Sequence, residues 1–194
     1  MARPKLFNPN DALELAVRGF WRWGYHAASV DMLVKFMGVS RQSLYDTFGD
    51  KQRLFRGGIS HYEATVLNRE LLLLDAENAV DGLKKVAAIW TSLLKSTTDE
   101  PAGCLITNAL CELFETEPSL HAECREIEAR FVRKLRHTFE RASEEGMIPF
   151  RSDPAQMAGQ WMILRHGLMV ARRAGADDAF FRSAGYELQS MLIG

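Results

Sequence analysis

Gly38-Val39-Ser40-Arg41-Gln42-Ser43-Leu44-Tyr45-Asp46-Thr47-Phe48-Gly49 sets a short amphipathic segment between two glycines, near the start of a 194-residue chain. Ser40 is a helix N-cap residue type, Leu44 and Phe48 lie one turn apart on a single face, and Gly49 breaks the run. Just upstream, Ser29 caps a second stripe of Val30, Leu33, Val34 and Met37 that stops at Gly38. Two short helices joined by a tight glycine-containing turn make a helix-turn-helix, and the second helix of such a pair fits the major groove of DNA. With Leu44 and Phe48 turned inward, Arg41, Gln42, Ser43, Tyr45, Asp46 and Thr47 are left outside, a set of donors and acceptors suited to base edges and phosphates. The plain alternative is an αα corner with an ordinary polar exterior.

Outward from this stretch the periodicity stays helical. Leu13, Ala16, Val17, Phe20 and Trp21 form the stripe of a first helix after Asn10 or Asp11, ending at Gly24. A fourth helix starts at Asp50 and passes Tyr62, reaching as far as Leu74. A fifth spans Asn78 to Thr97, and a short sixth spans Cys104 to Phe114. The seventh opens at Pro118 and keeps Leu120, Cys124, Ile127, Phe131, Leu135, Phe139 and Ala142 on one face up to Gly146. The last two cover about Asp153–Ala174 and Asp177–Leu192. No alternating stretch is bounded by hairpin turns. The expected fold is all-α with about nine helices: a three-helix helix-turn-helix domain over residues 1–50, then a helical effector-binding and dimerisation domain over residues 51–194, with helix four connecting.

Composition narrows the function classes. Hydrophobic residues make up 47% of the chain and charged residues 25%, a balance that supports a packed core rather than disorder. The longest apolar runs, Leu71 to Leu74 and Val86 to Trp90, are far short of the ~20 residues that cross a bilayer. No membrane partner is expected, and without a secretory signal pattern at Met1–Phe7 the expected location is the cytoplasm. The three cysteines include no CxxC pair, so neither a disulfide framework nor a zinc ribbon is expected. Net charge is −1, yet residues 1–60 carry nine basic and five acidic side chains, a local +4 against −5 for the remainder. That asymmetry points a polyanion towards the N-terminal part.

The stretch from Ala12 to Tyr62, above all Gly38 to Lys51 followed by Leu54-Phe55, resembles the DNA-binding domain of the TetR family of bacterial transcription regulators. The rest of the chain is similar in helix number and in ending on two apolar helices. The resemblance implies a dimer on a palindromic operator, a ligand pocket in the C-terminal helices, and a dimer interface made by the last two helices. Carried onto this chain, it implies recognition contacts from Ser40, Arg41, Ser43 and Tyr45, a backbone contact from Lys51, and phosphate contacts from Ser29 and Tyr25. Asp46 departs from the aromatic or histidine often found there; a carboxylate accepts from cytosine N4 or repels phosphate. Repression with release by a small ligand follows from the resemblance alone.

Helix eight bears on assembly independently. Trp161, Met162, Ile163 and Leu164 are consecutive, and Leu168, Met169 and Val170 repeat the pattern, so one packing partner cannot cover them. Helix nine adds Phe180, Phe181, Ala184, Leu188 and Met191. The expected homodimer interface holds Trp161, Met162, Leu168, Met169, Phe181 and Leu188; a monomer with a thick core is the alternative.

On helix six, Cys104, Thr107, Asn108 and Cys111 share one side, opposite Ile106 and Leu113. They line a ligand site or form plain core beside a helix N-terminus. With Trp90, Leu93 and Leu94 of helix five and Phe131 and Leu135 of helix seven as walls, the effector would be largely apolar and held by one or two hydrogen bonds. A thiol-based sensor on Cys104 is the competing mechanism: a helix N-terminus favours a thiolate, although an intact helix holds Cys104 and Cys111 about 10.5 Å apart, beyond the ~7 Å limit of a disulfide. His121 and Cys124 share a face without further ligands, so no metal or other cofactor is expected. No GxSxG, HExxH, Walker or dinucleotide fingerprint is present, which sets an enzyme, like a helical adaptor without DNA contact, behind a DNA-binding regulator.

Overall fold

A computed structural model describes residues 7–92, 101–148 and 153–193, and among them every regular element is helical. The helices are α1 (Pro9–Trp23), α2 (Val30–Met37), α3 (Arg41–Phe48), α4 (Lys51–Tyr62), α5 (Asn68–Leu73), α6 (Ala79–Ser92), α7 (Leu105–Leu113), α8 (Pro118–Glu144), α9 (Pro154–Arg173) and α10 (Asp178–Ile193). The expected fourth helix is thus two helices, α4 and α5, joined by a π-helical turn over Glu63–Leu67. Such turns take one extra residue into a helical coil and leave no sequence signature.

Side-chain caps set the starts. Asn8 accepts from the Asn10 amide, Ser29 from Met32, Ser40 from Ser43 and Asp50 from Arg53, each satisfying an N–H that has no partner inside the helix. Gly38 closes α2 in the left-handed region at φ +68, which a side chain would strain.

The chain divides into two compact units. Unit one runs to Thr65 and takes in Cys104–Arg125, so it holds α1 to α4, α7 and the first turns of α8. The expected division at residue 50 does not coincide with it, because α4 packs along α1: Phe20 meets Phe55 edge to face at 5.0 Å, and Trp21 meets Tyr62 likewise at 5.0 Å. Each such pair adds ~0.5–1.5 kcal/mol beyond the area it buries. Unit two holds α5, α6, the rest of α8, α9 and α10. Its centre is aromatic, with Trp161 edge to face against Trp90 at 5.5 Å and against Phe139 at 5.3 Å.

Candidate functional site

Leu44 is the one buried residue of α3 and holds that helix onto unit one from beneath. Phe48, one turn on, is half-buried beside it. Arg41, Gln42, Tyr45 and Asp46 are exposed, while Ser43 and Thr47 are half-buried. Several of these side chains already have partners. Arg41 lies 3.6 Å from Asp31, and Gln42 Nε2 donates to Asp46 Oδ1 at 2.7 Å, one turn along the same face. Asp46 therefore has a partner on its own helix, which gives that unusual residue a structural role. Ser40 and Ser43 are joined by an amide bond into the Ser40 hydroxyl and by a hydroxyl bond from Ser40 to Ser43 at 2.8 Å. Ser29 is exposed at the N-terminus of α2.

Tyr25 does not sit where the sequence suggested. It is 7% exposed, with its ring packed on Phe20 and Phe55. Burial first, then the adjacent Glu117 carboxylate, pushes its phenol up to about 12. A residue between two aromatic rings belongs to the core, which sets Tyr25 apart from the open position expected to meet phosphate. Lys51 is half-buried; its Nζ lies 4.6 Å from the centre of the Tyr25 ring and donates to the His26 carbonyl at 3.4 Å. Burial lowers the Lys51 ammonium, and the carboxylates of Glu112 and Glu117 act against that.

Sequence reasoning missed Glu112. From α7 its carboxylate accepts from the Tyr25 amide at 2.9 Å and the His26 amide at 2.7 Å, fixing the loop that carries the Lys51 partner. A Cβ at Gly24, where φ is +83, would stand 2.7 Å from Glu112 Oε2, so only glycine lets the carboxylate close on that loop.

The expected ligand residues divide between the units. Cys104, Thr107, Asn108 and Cys111 belong to unit one, and Trp90, Phe131 and Leu135 to unit two; Leu93 and Leu94 lie outside the described residues. Cys111 is exposed and lines no interior wall. Leu105, Ile106, Thr107, Ala109 and Leu113 are the buried residues of α7 and Cys111 lies outside that set, while Cys104 is the cap, in extended conformation, ahead of the helix. Cys104 is buried, out of reach of a solvent-borne oxidant. Asn108 Nδ2 is buried and has no hydrogen-bond partner among the described residues.

The expected dimer residues also need correction. Trp161, Met162, Leu168, Met169, Phe181 and Leu188 are all buried in the protomer's own core. The consecutive apolar run covers two faces, and the inner one fills unit two. The outer face of α9 carries Ile163, 71% exposed, and Val170, with exposed Gly167 between them. On α10, Phe180 and Tyr186 are exposed. Gln160, Ile163, Leu164 and Met191 line a shallow groove of about 340 Å³.

Two family models match the chain: bacterial regulatory proteins of the TetR family over residues 12–57, and the tetracyclin repressor-like C-terminal domain over residues 79–185. The chain belongs to the TetR family. This DNA-binding regulator is 28% identical over 191 residues to the HTH-type transcriptional repressor ComR of Escherichia coli (strain K12), covering 96% of this chain and 90% of that one. It is 35% identical over 113 residues, 56% of this chain and 55% of the other, to the HTH-type transcriptional repressor BdcR of the same strain. Its fold matches the solved structure of a cysteine mutant of the TetR family regulator CifR complexed with 26bp double-strand operator DNA, with a TM-score of 0.89 at 22% identity over 98% of this chain and all of that one. TetR proteins are transcriptional regulators, so the enzyme and adaptor alternatives fall away. Among the described residues no helix is long and apolar enough to cross a membrane, and no group of three or more His, Cys, Asp or Glu could hold a metal ion.

Proposed function

We propose that this regulator is a homodimeric repressor that binds a palindromic operator and is released by a small, largely apolar effector. The observation that carries the reading is α3. It is an eight-residue helix held by a single buried leucine, with Arg41, Gln42, Tyr45 and Asp46 facing outward and Ser40 and Ser43 at its N-terminus. Base contacts come from this outer face, and Lys51 and Ser29 meet the backbone. Repression is supported by the repressor names of two relatives, ComR and BdcR.

Dimerisation is supported by the outer face of α9 and α10. Ile163, Leu164, Val170 and Met191 leave apolar area in water, and no Cβ at Gly159 or Gly167 would meet a neighbour within 4 Å, so a second helix can approach the backbone there. Two-fold symmetry then presents two copies of α3 to half-sites one or more helical turns apart.

The test is electrophoretic mobility of DNA from upstream of the regulator's own gene and of its neighbours. Binding to one fragment with a two-fold footprint, lost in Arg41→Ala, is expected. Equal retardation of scrambled DNA by both proteins would reject sequence-specific recognition by α3.

A further inference from the structure

Asp46 occupies a poor place for a carboxylate. It is exposed in the last turn of the eight-residue α3, a turn that holds no basic residue, and a negative charge there opposes the helix dipole. Arg41, the only basic side chain of α3, pairs instead with Asp31 of α2 at 3.6 Å. A helix that approaches DNA also brings that carboxylate towards a row of phosphates. The bond from Gln42 Nε2 to Asp46 Oδ1 at 2.7 Å offsets little of this, since a Gln–Asp pair one turn apart adds only slightly to a helix.

What the pair offers to a partner is a donor beside an acceptor. Both residues are exposed; Gln42 keeps a second N–H on Nε2 and Asp46 keeps its other oxygen, Oδ2, and the bond between the two side chains holds these atoms together. The matching pattern on a base pair is an acceptor beside a donor. Each kind of pair shows one in the major groove: guanine O6 beside cytosine N4, and thymine O4 beside adenine N6. The difference lies on the far side of the amino group. Adenine N6 stands between two acceptors, N7 and O4, so a carboxylate aimed at it meets a lone pair on either hand. Cytosine N4 ends its row, with both guanine acceptors on one side and only a C–H on the other.

We propose that Gln42 and Asp46 act as one unit that reads a C·G base pair in each operator half-site: Asp46 Oδ2 accepts from the cytosine N4 amino group, and the second Gln42 N–H donates to O6 of the paired guanine. The proposal rests on reading α3 as the operator-recognition helix and names the base pair that this part of it selects. A glutamine on its own suits adenine, bonding to N6 and N7; tied to Asp46, Gln42 is the donor half of a cytosine reader. The carboxylate also rejects. Where it would face guanine O6 and N7 or thymine O4 it meets only acceptors, so the position is set by exclusion as well as by attraction.

Full-length protein is used to select binding sites from a random duplex pool, and fluorescence anisotropy of the selected duplex then gives affinities. Each half-site is expected to hold one C·G pair at which exchange of cytosine for 2-pyrimidinone, its analogue without the N4 amino group, weakens the parent about tenfold or more. Asp46→Ala should bind the two duplexes alike. Gln42→Ala, which leaves the carboxylate without its neighbour, should still prefer cytosine but by a smaller factor than the parent. A parent protein indifferent to the lost amino group at every cytosine overturns the proposal, as does an Asp46→Ala protein that remains as sensitive to it. Full parental preference in Gln42→Ala overturns the paired reading. An Asp46→Ala protein that binds every sequence more tightly by one common factor makes Asp46 a repeller of phosphate and overturns it too. In each of these cases sequence-specific recognition by α3 stands. A pool that yields no preferred sequence rejects that recognition itself, and this assignment falls with it.

Discussion

Replacing Glu112 by alanine removes a carboxylate that accepts from two backbone amides, those of Tyr25 at 2.9 Å and His26 at 2.7 Å. A hydrogen bond to a charged group contributes ~1.5–3 kcal/mol net, and a donor left buried without a partner costs a further share. The two amides differ. That of His26 is exposed, so water takes over its bond, whereas that of Tyr25 is partly buried and recovers less. The loss for Glu112→Ala is therefore about 2–4 kcal/mol, and about half that for Glu112→Gln, which keeps one acceptor oxygen. Urea unfolding followed by tryptophan fluorescence reads both values. Operator affinity should fall as well, because the loosened loop carries the His26 carbonyl that accepts from Lys51. A Glu112→Ala protein within 0.5 kcal/mol or so of the parent, with unchanged DNA affinity, would refute the idea that α7 fixes the DNA-side loop through this side chain.

Leu44→Ala should cost ~2–5 kcal/mol and abolish operator binding although Leu44 faces away from DNA, whereas Arg41→Ala should leave the unfolding curve unchanged and cost ~1–3 kcal/mol on the specific operator only; equal effects of the two on stability would count against the single-anchor description of α3. Ile163→Glu together with Val170→Glu should give folded monomers by light scattering, while Trp161→Glu should unfold the protomer, because a charge there has no partner in the aromatic core; a dimer that survives the outer pair places the interface elsewhere. With its phenol raised from 10 to about 12 in the folded state, Tyr25 favours folding fully below its unfolded value near pH 10 and ceases to do so as pH rises towards 12. Tyr25→Phe should flatten that alkaline fall in urea stability, and an unchanged slope between pH 9 and 11 or so would place the titration on another group.

Local signals in the sequence were enough for α2, α3 and the start of α4, whereas α1 is capped by Asn8 rather than by the expected Asn10 or Asp11. Ser29, Ser40 and Asp50 cap helices where their residue types lead one to expect, and Gly24, Gly38 and Gly49 end them. Long-range polar contacts left no such trace: Glu112 reaches a loop 87 residues earlier in the chain, and nothing near either position marks the pairing. The six dimer candidates illustrate a different limit. A helix apolar on most sides shows that two faces are covered, but periodicity does not say which face meets the protomer's own core. On α7 the wheel set Thr107 opposite Ile106, yet both are buried, while Cys104 is a cap ahead of the helix and Cys111 is exposed. The break of the fourth helix into α4, a π-helical turn and α5 had no glycine or proline to announce it.

The pairing of Gln42 with Asp46 bears on how the regulator is shared out along a chromosome. With one basic and one acidic side chain, α3 as a whole is uncharged and attracts bulk DNA only weakly, so general affinity must come from cations elsewhere in unit one. A base edge that meets this pair finds it already ordered at 2.7 Å, with the second Gln42 N–H and Asp46 Oδ2 still open to a partner. The two side chains are held in place before DNA arrives, so less rotamer freedom is left to lose on binding. Hold on random sequence and choice of operator would then rest on different side chains.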